Sequence, residues 1–372
     1  MTDFAYPSAE QPKEAEHITI YYDRGQFAGW PFNHGFWAFS DDELLVSFSR
    51  GPCSYETAYD MGHSVVDALG GEYVVLRSTD GGYTWPLESL QSLGSRQAIE
   101  KPLFTNRHYN PEKAFDWQSS GFCLTAGFGI PPERFQEAGY IQVSQDRGHT
   151  WSGPYLMPSF GFSWVQVKPD YLVRPDGLVL LFVTVGIGDG RPGSRFVAVY
   201  ASPDQGLTWN YLAPIMATSP DSHFVNRYYA SPVLLPDGRI QVALRCQIDA
   251  RNAWPEIYES PDGGRTWAFV SRPSDWGGPS HLTLLDDGRL LIVYGYRVRP
   301  YGIRARVSED QGRSWGPELV LRDDAGSWDL GYPRTVKLSG GRVMTAYYFN
   351  RADDDIQLNG GVRHIAGTIF TP

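Results

Sequence analysis

The sequence is poor in cysteine and carries no excess of positive charge. Its three cysteines, Cys53, Cys123 and Cys246, stand far apart in 372 residues. An odd, widely spaced set is neither a disulfide framework nor a zinc site, so each reads as a small core or strand residue. The formal net charge of −10 argues against a nucleic-acid partner, because a phosphate backbone rewards a basic surface. It leaves room for an anionic small substrate, since local arginines set the field inside a cleft. No stretch approaches the roughly 18 apolar residues of a membrane span, so no membrane partner is expected. The polar, acidic segment Met1 to Glu16 has neither the basic start nor the apolar run of a secretory leader. A cytoplasmic location is the default expectation, and a secreted protein after processing would look the same. There is no Gly-rich phosphate loop, no metal-ligand cluster and no Ser/His nucleophile motif. No cofactor, nucleotide or zinc is therefore expected, and the Asp-Gly turns lack the dense acidic spacing of a calcium loop.

What abounds is aromatic side chains and turn formers. Aromatics make up 14% of the chain, with 12 Trp, 22 Tyr and 19 Phe, beside 40 Gly and 27 Pro. Many β-formers broken by many turn residues predict short strands and an all-β architecture.

The arrangement is repetitive. An octet, Ser78-Thr-Asp80-Gly-Gly82-Tyr-Thr84-Trp85, returns at Ser144, Ser202, Ser260 and Ser308 with Asp, Gly, Thr and Trp at the same offsets. Only the last copy departs, with Ser314 in place of Thr. Asp accepts backbone N–H groups across a tight turn, Gly takes the positive φ, and the hydroxyls close the ends. Apolar alternation leads into it, as in Tyr73-Val-Val-Leu-Arg77 and Ile303-Arg-Ala-Arg-Val307, so each octet is a strand entering a turn. A second series is an apolar run, Asp-Gly or Gly-Gly, and another run: Leu172–Val179, Val233–Val242, Leu282–Val293 and Val336–Met344. This is a hairpin signal.

Four strands for every 48–66 residues make a propeller blade. The blades fall near 33–86, 116–152, 165–211, 229–270, 279–320 and 330–370, a six-bladed β-propeller in which one domain spans 1–372. The sixth unit ends in a third strand, His364–Phe370, without an octet. Its fourth strand is expected from His17–Tyr22, which would close the ring and remove an open edge.

The octets are similar to the Asp boxes, or BNR repeats, of the sialidase-like superfamily, and the resemblance covers about 17–370. It implies the propeller fold, with the octets at the blade periphery in a structural role. Enzymes of this superfamily cleave glycans at the ring mouth, where inner strands begin. The resemblance implies three arginines that clamp a carboxylate, a Tyr nucleophile assisted by a Glu, and an Asp acid/base. A guanidinium fork matches a planar carboxylate. A neutral phenol attacks an already anionic centre without charge repulsion.

Carried over by position, Tyr332 in Asp329-Leu-Gly-Tyr332-Pro-Arg334 matches the nucleophile, and Arg245, ending Val242-Ala-Leu-Arg245, matches the second clamp arginine. Arg297, Arg299 and Arg304 compete for the third position. The acid/base is expected in the loop 50–71, where Asp60 is chosen over Glu56, His63 and Asp67, and Asp329 is a further acid candidate. The sequence departs from the pattern in three places. Gly29–Trp37 opens the first blade without an arginine, for which Arg24 is a conceivable substitute. Arg227-Tyr228-Tyr229-Ala230-Ser231 stands where a Glu is expected. His281 has no counterpart. His34 and His281, at equivalent blade starts, are taken into the mouth set with Arg334. Trp30, Tyr228 and Tyr301 are candidate sugar-stacking rings, although for each ring or lone histidine a packed core role is the ordinary alternative. The leading expectation is a sialidase-like glycoside hydrolase acting on a terminal anionic sugar of a carbohydrate partner. A polysaccharide lyase using His281 and Tyr332 beside a uronate, and a non-catalytic glycan-binding propeller, are the alternatives.

Overall fold

The computed structural model describes residues 9–55, 71–95, 111–129, 138–187, 194–215, 225–249, 252–357 and 360–372. Strand β1 (Lys13–Tyr21) opens the chain. The first blade follows, with β2 (Gln26–Gly29), β3 (Phe36–Ala38), β4 (Leu44–Pro52), β5 (Glu72–Ser78) and β6 (Gln91–Ser95). The second shows β7 (Cys123–Gly129), β8 (Ala138–Ser144) and β9 (Ser152–Leu156). The third has β10 (Trp164–Val173), β11 (Val179–Gly186), β12 (Arg195–Ser202) and β13 (Asn210–Ile215). The fourth has β14 (Asn226–Leu234), β15 (Ile240–Gln247), β16 (Ala253–Ser260) and β17 (Ala268–Ser271). The fifth has β18 (Ser280–Leu284), β19 (Leu290–Tyr296), β20 (Gly302–Ser308) and β21 (Leu319–Arg322), and the sixth β22 (Gly331–Lys337), β23 (Val343–Phe349) and β24 (His364–Thr371). Each blade is an antiparallel sheet of consecutive strands, and β1 is the outer neighbour of β24, His17 opposite Thr368 and Ile18 opposite Gly367. The result is an all-β, six-bladed propeller.

Period-2 alternation turns one apolar face of each blade toward each neighbour. Leu44, Val46 and Phe48 of β4 pack with Met344, Tyr348 and Ile365 of the sixth blade. Leu45, between them in sequence, turns the other way onto Cys123 of the second. Further clusters fill the seams between blades two and three, three and four, four and five, and five and six. All three cysteines are buried, and none forms a disulfide.

The octets end the last strand but one of blades one to five. In the first, Ser78 Oγ donates to Asp80 Oδ1 at 2.8 Å and accepts the Gly82 N–H at 2.9 Å. Thr84 gives its N–H and hydroxyl to the two oxygens of Asp80 at 2.9 and 2.7 Å. The other four copies repeat this pattern. Gly82 sits at φ 92, and a Cβ there would come within 2.4 Å of the Met344 sulfur, so this glycine serves both the turn and the seam.

The first blade breaks its inner strand. β2 and β3 both pair with β4, and between them Pro31–His34 forms one helical turn, α1. Proline suits the first helical position because it lacks only an N–H that would be unpaired there. All four α1 residues are buried, and the turn packs on β4, β7, β10 and β22. Elements of blades one, two, three and six meet there, which places α1 on the propeller axis. Among the described residues no helix is long and apolar enough to cross a membrane.

Candidate functional site

Three inner-strand openings carry an aromatic residue in the left-handed backbone region: Trp30 (φ 62), Tyr229 (φ 57) and Tyr332 (φ 52). Bulky residues adopt this region at a cost of about 1–3 kcal/mol each and keep it only where packing enforces it. In β14 and β22 the turn coincides with a bulge, between Tyr228 and Ser231 and between Gly331 and Arg334. A bulge re-aims a side chain, and here the rings converge. Tyr332 lies 5.6 Å from Tyr229 and 5.8 Å from Tyr348, and Tyr229 lies 6.0 Å from Phe32 of α1.

Arginines enter this aromatic group from the ends of second strands. Arg245, buried on β15, donates from Nη1 to the Tyr332 hydroxyl at 3.3 Å. Its guanidinium lies over Tyr228 and Tyr229 at 5.3 and 5.8 Å, and its Nε has no hydrogen-bond partner among the described residues. Arg297, just past β19, lies over the rings of Tyr332 and Trp328 at 5.5 and 5.6 Å. It is anchored by two N–H bonds to the Leu330 carbonyl, at 3.1 and 2.8 Å, and one to the Tyr348 hydroxyl at 3.3 Å. Tyr348 in turn donates to Asp329 Oδ1 at 2.6 Å, while Arg363 donates to Asp329 Oδ2 at 3.1 Å. Burial, then the Asp329 charge, pushes the Tyr348 phenol well above the usual tyrosine range. Burial and the neighbouring Tyr332 phenol do the same to Tyr229.

A second charged layer lies beside the first. Arg334 of β22 donates to Asp170 Oδ1 at 2.5 Å and to the Phe32 carbonyl at 3.1 Å. Asp170 sits in the irregular stretch of β10 between Val167 and Tyr171, with Lys168, whose ammonium lies 5.3 Å from the Tyr229 ring. Blades three and six face each other across a six-membered ring, so this ion pair spans the axis. Burial raises Asp170 to about 6 despite the adjacent Arg334. His281 of β18 accepts the Thr335 N–H on Nδ1 at 3.2 Å. Burial first, then the Arg334 charge, holds its pKa well below the usual histidine range. The ring is therefore neutral at pH 7, with its proton on Nε2.

The structure thus brings Tyr332, Arg245, Arg297, Tyr228, Asp329, Arg334 and His281 into one region of the axis. Trp30 joins at its edge, 6.2 Å from Tyr348 and 5.0 Å from Phe27. His34 is buried with Nδ1 3.2 Å from the Ala126 carbonyl and Nε2 2.7 Å from Ser49 Oγ, which is the bonding of a core histidine. Arg304 lies on β20 away from the group, bonded to the Arg322 and Pro300 carbonyls and 3.6 Å from Glu318. Arg299 is exposed, its guanidinium 5.5 Å from the Tyr301 ring centroid. Arg24 is an exposed residue 3.8 Å from Asp355. Asp60, with Glu56, His63 and Asp67, lies outside the described residues.

Lys168, Asp170, Tyr229 and Arg363 escaped the sequence reading. Val165-Gln-Val-Lys-Pro-Asp-Tyr-Leu-Val173 held a signal, since two charges flanking a proline are foreign to a buried inner strand. Together these groups form a cluster of cationic and phenolic side chains beside a neutral imidazole, with donors suited to holding an anion beside a phenol oxygen.

Residues 106–345 match the family model of the BNR repeat-like domain. The sialidase of Micromonospora viridifaciens is 28% identical over 202 residues, 48% of this chain and 31% of the relative. The chain thus spans about a third of that relative's length. Among solved structures, a protein of unknown function from Dyadobacter fermentans is 26% identical, with a TM-score of 0.74 over 96% of this chain and 99% of that one. The α-L-arabinanase of Penicillium chrysogenum, solved with arabinobiose, is 14% identical and has a TM-score of 0.57, over 98% of this chain and 99% of that one. At that identity the likeness is one of fold.

Proposed function

Because the chain belongs to the BNR repeat-like domain family, within the sialidase-like superfamily, we propose that it is a glycoside hydrolase that removes a terminal anionic sugar from a glycan. The observation that carries this reading is the buried contact between Arg245 and the Tyr332 hydroxyl, with the Arg297 guanidinium over the same ring. Arg245 and Arg297 hold the sugar carboxylate. The Tyr332 oxygen attacks the anomeric carbon, its proton passing to water, while the glycosidic C–O bond breaks and a carboxylic acid protonates the leaving oxygen. A water molecule then gives one proton back to that carboxylate and adds its oxygen to the anomeric carbon, the C–O bond to Tyr332 breaks, and the phenolate regains a proton from water. A guanidinium already beside the phenol oxygen stabilises charge that develops there without reorganisation. Asp329 is held by Arg363 and Tyr348, which favours Asp60 as the acid.

Elimination beside a uronate is the second reading, and the Arg245–Tyr332 contact supports it as well. There the Tyr332 oxygen takes the proton next to a carboxylate neutralised by arginine, while the neutral His281, whose Nδ1 already accepts the Thr335 N–H, offers only its Nε2–H as a hydrogen-bond donor. A panel of sialosides, uronate polysaccharides and neutral nitrophenyl glycosides separates the readings. Free anionic sugar supports hydrolysis. Ultraviolet absorbance from an unsaturated product moves the assignment to a lyase. Tight binding with no product moves it to a glycan-binding propeller.

A further inference from the structure

The third blade carries an arginine–aromatic unit that the hydrolase reading does not use. Trp164 begins β10, Gly186 ends β11 and Arg195 begins β12. Trp164 pairs with Gly186 and Gly186 with Arg195, so the three stand side by side at one end of the sheet. Residues paired across strands share a face, and the middle one has no side chain. A Cβ at Gly186 would lie 3.2 Å from that of Trp164. Its absence lets Arg195 cross the middle strand and lie 4.5 Å from the Trp164 ring centroid.

This unit is joined to the candidate site. The Arg195 N–H donates to Oδ1 of Asn226 at 3.3 Å. Asn226 is two residues before Tyr228 on β14, and Tyr228 pairs with Arg245. The charges of Arg245, Arg195 and Arg297 all act on the Tyr228 phenol. Arg239 and Arg322 each grip a carboxylate. The half-buried Arg195 guanidinium has no such ion pair among the described residues. A guanidinium laid on an indole is held in place with its N–H edge outward, ready for a planar carboxylate.

We propose that Arg195, held by Trp164, forms a second subsite for the carboxylate of the sugar next to the one bound by Arg245 and Arg297. The substrate is then an oligosaccharide with carboxylates on two adjacent residues. This rests on the reading of the Arg245–Tyr332 region as a sugar site, and its test needs no turnover.

Binding is measured by titration calorimetry with two pairs of probes, galacturonate against digalacturonate and sialic acid against its disaccharide. In at least one pair the disaccharide should bind about tenfold or more tightly than the monosaccharide. Arg195→Gln should bring the disaccharide to the monosaccharide's affinity and leave the monosaccharide unchanged, with thermal unfolding as a check on folding. Equal or undetectable affinity for both members of both pairs overturns the subsite. So does an Arg195→Gln variant that weakens both members alike or neither. Disaccharide binding through Arg195 with no cleavage of any glycoside sinks the hydrolase reading alone. Cleavage of a monomeric anionic glycoside with no disaccharide preference sinks the subsite alone.

Discussion

Arg245 and Tyr332 are 87 residues apart in sequence, on the fourth and sixth blades, and the arginine donates to the phenol oxygen at 3.3 Å. A cation and a phenol are thereby set together before any substrate arrives. Lysine would keep the charge but lose the planar fork. Arg245→Lys should raise KM for an anionic glycoside by about 10-fold or more, with a smaller effect on a neutral one. Steady-state kinetics on matched substrates checks this, and equal losses on both would remove the clamp role.

The Asp170–Arg334 pair holds blades three and six together across the axis. Removing the arginine leaves Asp170 buried without its partner, so Arg334→Met should cost about 3 kcal/mol or more. Adding Asp170→Asn should recover part of that loss. A urea-unfolding cycle over the wild type, both single variants and the double variant measures the coupling, and simple additivity would mean the pair does not bind the blades.

The octet aspartates set a dependence on acid. Burial is the largest single effect on Asp146 and Asp262 and pushes both up, but the hydrogen bonds from Thr150 and Ser144, and from Thr266 and Ser260, together outweigh it and hold both at about 2. A carboxylate lowered in the folded state adds stability that is full above its unfolded value and is lost as pH falls through the folded value. The Asp146→Asn/Asp262→Asn variant should therefore be less stable than wild type at pH 7, by no more than about 0.5 kcal/mol per turn once solvent screening of these exposed carboxylates is counted. The difference should shrink below about pH 4 and vanish near pH 2. Asp170 works in the opposite sense. Its raised value makes stability fall as pH rises from about 4 toward 6. Denaturant midpoints across this range test both signs.

β1 is expected to be an integral fourth strand of the last blade. Ile20 is buried among residues of the first and sixth blades. Ile20→Ala should cost about 2–4 kcal/mol in a single cooperative unfolding transition. A loss near zero would mean that β1 is a loosely attached edge.

The fold was legible because its signals are local. Ser, Asp, Gly and Thr within one octet satisfy each other, so the turn is written in eight consecutive residues and its spacing counts the blades. In the candidate site the resemblance pointed to Tyr332 and Arg245, which lie in contact although Tyr332 sits at the β22 bulge. The rest of the site was not legible where the backbone leaves the strand. Trp30 to His34 stands where an inner strand was expected to open the blade. Its conformation depends on a proline start and on the residues of four blades that enclose it, none of them close in sequence. Asp170 and Lys168 were hidden for the same reason, since only the bulge in β10 turns them to the axis. Arg195 matters through a glycine on another strand.

The most direct test is the initial rate of sugar release from an anionic glycoside by the wild type and by Tyr332→Phe, with thermal unfolding followed in parallel. The account predicts a fall of about 100-fold or more with a melting temperature close to that of the wild type. Release at the wild-type rate by a folded Tyr332→Phe protein would contradict it.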